Sequence, residues 1–243
     1  MESSASQSHR GTCERWLAVC WYLAACAPVV QVHGSGAAQH EQAAAQAERA
    51  AAQHETQYQP DVVRAACSKP GEHPTGVICW ASSSNPTQQH LRQAEWHRAL
   101  AAAHRAASSA LRAAEASACA GVAPQDQDLS PFAHREDIVR TEPLLTPGGS
   151  KSPPRQVGIT VLFRAVPGLT SEWLQRLIDC HIARNAVLGH NAPEMAYCPL
   201  AVRGVAAHVR SEHGGYAVAL RADEQESINA IRQRVNDILG NPS

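Results

Sequence analysis

The chain has 243 residues, a formal net charge of −1 and a sequence pI near 6.9. It has no basic excess of the kind that tracks a phosphate backbone, which argues against a nucleic-acid partner. Much of its 44% hydrophobic fraction is alanine and only 5% is aromatic, so a compact core is expected in part of the chain only. The unusual counts are 8 Cys and 13 His. Their meaning depends on compartment: outside the cytosol cysteines pair, inside it they more often bind metal or react.

Residues 1–15 are polar and carry Arg10 and Arg15 against Glu2 and Glu14. Trp16 to Ala25 is a run of ten residues without a charge. That is the length of a signal-peptide core and too short to span a bilayer as a helix. The run ends in Leu23-Ala24-Ala25-Cys26, which resembles the lipobox of bacterial lipoproteins, where small residues precede an invariant cysteine. The resemblance covers these four residues and the segment before them. It implies a thioether lipid on the Cys26 sulfur, cleavage before Cys26 and acylation of the new N-terminus, giving stable membrane attachment through several acyl chains. The expected location is the cell envelope, facing the periplasm or exterior. A competing reading is an uncleaved anchor running on through Val29, Val30 and Val32, about 17 residues with Pro28 and Gln31 inside. On the lipoprotein reading residues 1–25 are a signal peptide that leaves with Cys13 and Cys20, and residues 26–36 are a lipidated tether. Cys67, Cys79, Cys119, Cys180 and Cys198 then remain as disulfide candidates.

Residues 37–118 read as a helical hairpin. Its first arm, 37–57, consists almost wholly of helix formers. Ala-Ala-Gln-His-Glu occurs at 37–41 and again at 51–55, two heptads apart. Pro60 stops this arm. Residues 60–86 form a loop rich in Pro, Gly and Ser that holds Cys67 and Cys79. In an oxidising compartment these two pair, and a loop of that size contributes on the order of 3 kcal/mol. Thr87 is positioned to cap the second arm, which runs to about Ala118 and ends at Cys119-Ala120-Gly121. Residues 119–155 carry six prolines from Pro124 onward and read as an extended linker, with Asp137-Ile138-Val139-Arg140 as its only strand-like piece.

The best-patterned part is 156–243. Val157, Ile159, Val161 and Phe163 alternate as in a strand. Pro167-Gly168 turns the chain, Thr170 caps a helix to about Leu188, and Gly189 follows it. Val205, Ala207 and Val209 mark a second strand, Glu212-His213-Gly214-Gly215 a hairpin turn, and Tyr216, Val218 and Leu220 a third strand. Ile228, Ile231, Val235 and Ile238 line one face of a last helix that Gly240 closes. The expected fold class is therefore α+β: a long Ala-rich helical hairpin followed by a small βαββα domain, a ferredoxin-like arrangement missing its last strand.

Three groups of residues could carry chemistry. Cys180, His181, His190, Met195 and Cys198 combine thiolate, imidazole and thioether, a donor set suited to copper or zinc. The bland alternative is a Cys180–Cys198 disulfide with His181 as a core-edge histidine. Ferredoxin-like metal chaperones carry CxxC in the loop after the first strand, whereas Val166-Pro167-Gly168-Leu169 stands there. His90, His97 and His104 form a heptad stripe, about 10.5 Å apart along the axis, too far for one metal to bridge two of them. A metal there needs a partner helix, which His40 and His54 could supply. Cys119 with Asp126, Asp128, His134, Glu136 and Asp137 holds the residue types of a nucleophilic site, though Cys119 could equally pair with Cys180 or Cys198. Phosphate loops, G-x-S-x-G and H-E-x-x-H are absent from the sequence.

The expectation from sequence is an exported, lipid-anchored envelope protein with a non-catalytic binding or structural role and no cofactor. An unknown envelope protein is its partner, and the membrane is reached through the lipid. The alternatives are a soft-metal protein using copper or zinc, and an enzyme of unknown class.

Overall fold

The computed structural model describes residues 35–62, 65–67, 70–72, 74–81, 85–147, 153–212 and 214–240. Cys26, the segment before it and most of the expected tether lie outside them.

Alanine sets the geometry of the first half. Helix α1 spans Ala37–Gln57 and helix α2 Gln88–Ala118, about 31 and 46 Å long. They run antiparallel, and the buried positions of α1 are Ala37, His40, Ala44, Ala47 and Ala51, spaced three and four apart. Ala94, Ala101 and Ser108 are the buried positions of α2. Small side chains on both seams let the backbones approach closely, and the central cluster is Ala44, Ala47 and Ala101 with Leu100 partly buried against it. The chain leaves α1 in extended conformation at Tyr58, two residues before Pro60. Across the junction the Asn85 side-chain amide donates to the Gln59 carbonyl at 2.6 Å, and the Gln59 N–H donates to Thr87 Oγ1 at 3.0 Å. Thr87 sits at the N-cap position, as expected, but its hydroxyl makes no capping bond to the first turn. It is held instead by Gln59 and Asn85. The connecting loop contains a short antiparallel pair, β1 (Ala65–Cys67) and β2 (Cys79–Ala81). Cys67 and Cys79 are joined by a disulfide that closes this loop.

The second half is a four-stranded antiparallel sheet with helices. Strand β3 is Ile138–Thr146, β4 Arg155–Arg164, β5 Ala206–Glu212 and β6 Gly215–Arg221, in the order β3-β4-β6-β5. Helix α3 (Ser171–Val187) connects β4 to β5, and α4 (Gln225–Leu239) follows β6. β4 and β5 are therefore parallel strands with β6 between them, the split βαβ of a ferredoxin-like sheet. The edge beside β4, which the last strand of that fold would fill, is taken by β3 from the N-terminal side. This corrects the reading of 119–155 as a linker. Pro143 and Pro147 look like breakers, but an edge strand has one row of unpaired N–H groups and tolerates a residue that lacks one. β3 also carries register irregularities between Ile138 and Arg140 and between Leu144 and Leu145, which weaken its period-two signal.

The core lies between one sheet face and the helices. Ile159, Val161 and Phe163 of β4 and Val218 and Leu220 of β6 pack against Leu174 and Ile178 of α3 and Ile228, Ile231 and Val235 of α4. Thr170 Oγ1 accepts from the Trp173 N–H at 3.2 Å and caps α3, and Gly240 ends α4 with φ 72°. Phe132, on a single 3-10 turn (Pro131–Ala133), is 1% exposed and meets the Phe163 ring edge-on, with centroids 5.4 Å apart.

Hairpin and sheet domain meet at two places. The end of α2 packs on α3, where Cys119 is disulfide-bonded to Cys180 and Arg184 reaches Glu115 at 3.1 Å and Asp128 at 2.7 Å. At the start of α1, Gly36 lies against the end of α3. A Cβ on Gly36 would stand 2.4 Å from the Val187 carbonyl oxygen. Among the described residues no helix is long and apolar enough to cross a membrane.

Candidate functional site

Adjacent side chains on a helix point about 100° apart, and this separates the sulfur-and-imidazole set. Cys180 faces the end of α2 and is bonded to Cys119, in a small buried cluster with Val122 and Leu177. His181 faces the other way, its Nε2 3.4 Å from Cys198 Sγ. The Cys180–Cys198 disulfide expected as one alternative therefore does not form, and Cys180 has no thiolate left for a metal. His190 Nδ1 lies 3.0 Å from the Ala201 carbonyl oxygen, and Met195 packs against the main core. Cys180, His181, His190, Met195 and Cys198 do not converge on one point.

Of that set, His181 and Cys198 come together, and they recruit Ser130. Both residues of the pair are almost wholly buried. Burial lowers the His181 pKa and raises that of the Cys198 thiol, so both are neutral. The Phe132 N–H donates to Ser130 Oγ at 3.2 Å, and that hydroxyl lies 3.1 Å from Cys198 Sγ. The Ser130 O–H is then free to donate to sulfur, and the S–H to His181 Nε2. Arg234 Nη1 donates to the Cys198 carbonyl oxygen at 2.8 Å. A buried neutral thiol is a poor nucleophile. The network ties the segment before β3, α3, the loop after it and α4 together. Residue type placed His181 and Cys198 in one candidate set, but no sequence spacing joins either to Ser130, which the sequence did not bring into it.

Beside this network a groove of about 270 Å³ opens, with Leu129, Phe163 and Trp173 among its apolar walls and His134, Asp137 and Arg164 among its polar ones. Arg164 Nε donates to Asp137 Oδ1 at 2.6 Å, and His134 Nδ1 stands 3.3 Å from Glu136 Oε1. Hydrogen bonds from its own backbone N–H and from His134 hold the Glu136 carboxyl below its ordinary range. Among the described residues His134, Glu136 and Asp137 are the one group of three potential ligands whose donor atoms lie within 4.8 Å of one another. Asp137 is already committed to Arg164, so the trio reads as an ion-paired edge of the groove. The wider set is dispersed: Cys119 is in a disulfide, and Asp128 binds Arg184.

The histidine stripe behaves differently. His40 and His54 of α1 face His104 and His90 of α2, with Nδ1 atoms 3.1 and 3.2 Å apart. Midway between these pairs the same register sets Ala47 opposite His97, whose buried Nδ1 has no hydrogen-bond partner. The His97 ring stacks on His54 at 5.5 Å. Burial, followed by the charge of His104, holds the His40 pKa below its ordinary value. The seam thus alternates layers of alanine with layers of imidazole. The heptad spacing of His90, His97 and His104 and the fourteen-residue spacing of His40 and His54 were the signals for it.

Comparison of the chain with protein-family models, with curated proteins and with solved structures finds no match.

Proposed function

We propose that the protein is an exported component of the cell envelope, anchored by a lipid on Cys26 and facing the periplasm or exterior, that binds a partner protein without catalysing a reaction. The observation that carries the reading is the pair of disulfides, Cys67–Cys79 and Cys119–Cys180, in a chain of ordinary size. Such bonds form and persist in oxidising compartments. They agree with the export signal suggested by Leu23-Ala24-Ala25-Cys26. The groove beside Trp173 supports a binding role, since an apolar floor with charged walls suits an apolar side chain carried on a polar partner surface. Among the described residues the Cys/His pair that meets within hydrogen-bond range, His181 and Cys198, is buried and neutral, which weighs against a cysteine nucleophile.

Two measurements test the reading. Expression of the full chain in a bacterium, followed by mass spectrometry of the N-terminal peptide, is expected to find acylated Cys26 and a membrane-bound protein that Cys26→Ser releases. An unmodified chain recovered from the cytosol with reduced Cys119 would refute export. A photo-crosslinker at Val166, on the groove wall, is expected to capture one discrete envelope protein, and capture unchanged by Trp173→Glu would remove the groove from the account.

A further inference from the structure

We propose that His54 and His90 form a cross-helix chelate for a divalent transition metal of the zinc, nickel or copper(II) class. Their Nδ1 atoms stand 3.2 Å apart on different helices. Two imidazole nitrogens bound to one tetrahedral ion at about 2.0–2.1 Å each lie about 3.3–3.4 Å apart. The nitrogen spacing therefore matches an ion to within a few tenths of an ångström, and the two rings, with centroids 5.4 Å apart, turn to aim both lone pairs at it. Imidazole suits these metals, and a two-histidine site leaves the remaining positions to water.

Neighbouring groups fix the donors. The His97 ring lies on His54 at 5.5 Å with an interplanar angle of 16°, and the Trp96 ring meets His97 edge-on. This stack holds His54 with its Nδ1 toward His90. Glu55 and Arg98, the chain neighbours of His54 and His97, are paired with each other across the two helices. Without metal the two neutral imidazoles share one hydrogen bond, with one Nδ1–H donating to the other Nδ1. On binding, that proton moves to Nε2 of the same ring, so no net proton is released near neutral pH.

The second pair, His40 and His104, has the same spacing but a different setting. His40 is 3% exposed and its pKa is held down by burial. The chelate is therefore assigned to the pair in which both imidazoles are part-exposed, His54 and His90. The two pairs thus provide an internal control. This assignment does not depend on export or on the groove.

The test is calorimetric titration of the tag-free, disulfide-intact protein with zinc chloride and with nickel chloride at about pH 7.5. One saturable equivalent is expected. His54→Gln and His90→Gln should each weaken it by about tenfold or more, while His40→Gln and His104→Gln should leave it within about twofold. Far-UV circular dichroism of each variant separates lost binding from lost fold. Electron paramagnetic resonance of the copper(II) form should show nitrogen donors that fall by one in His90→Gln. No saturable binding up to about 1 mM metal, or an equivalent that survives the His54→Gln/His90→Gln double variant, would overturn the proposal.

Discussion

The hairpin and the sheet domain are stabilised by different means. The domain buries Phe132, Ile178, Leu220, Ile228 and Ile231 almost completely, and each such side chain contributes about 1.5–3 kcal/mol of burial. The hairpin buries alanines, His40 and Ser108 instead, with the other facing histidines part-exposed. Alanine removes little apolar area from water, so α1 and α2 depend on intrinsic helix propensity, close backbone approach and the ties at their ends. The lesson is that high alanine content does not make a hydrophobic core. It makes a thin, closely packed scaffold, whose polar layers can then carry chemistry that a leucine seam would exclude.

The contrast can be broken or sharpened by substitution. The largest effect is expected from Phe132→Ala, which empties a fully buried site between α3 and β4 and should cost about 3–5 kcal/mol in urea unfolding. A cost below about 1 kcal/mol would mean that the segment before β3 is not part of the domain core. Replacing Cys119 and Cys180 together by alanine opens a crosslink of sequence separation 61. This is expected to cost up to about 4 kcal/mol and to split the thermal transition, with the hairpin melting first. One sharp transition in the double variant would show that packing at the end of α2 suffices to couple the two regions.

Within the hairpin, Ala101→Leu forces extra volume between α1 and α2 and should cost about 1–3 kcal/mol, read from helix content on heating. A neutral result would contradict close helix approach. The pH response is expected to be smaller and shared. Folding lowers the pKa of His40, His181 and His190, in each case mainly through burial. The unfolded chain therefore takes up protons first as pH falls. The stability these groups contribute is complete above about 6.5, and it is lost as pH drops from there toward their lower folded values. The melting temperature should fall between about pH 7 and 5, and His40→Gln should flatten the hairpin's share of that slope. The smallest effect is expected from Arg105→Ala. It breaks an ion pair with Glu48 whose side chains are 53% and 42% exposed, and it should change stability by no more than about 0.5 kcal/mol.

Most of the local structure follows from the sequence. The two long helices, the cap at Thr170, the strands at Val161, Val209 and Val218 and the Ile228–Ile231–Val235 face all follow from periodicity and stop signals. These depend on near neighbours in the chain, which a sequence displays directly. Three features were settled by tertiary structure. β3 became a sheet edge because β4 presented an unpaired edge, and that need is invisible at Pro143. Cys180 paired with Cys119 because α2 ends beside α3, although Cys198 is nearer in sequence. His181, Cys198 and Ser130 met because three separate segments converge on one core. The histidine seam falls between the two cases: heptad spacing displayed the stripe on each helix, and only the antiparallel register decided which imidazole faces which.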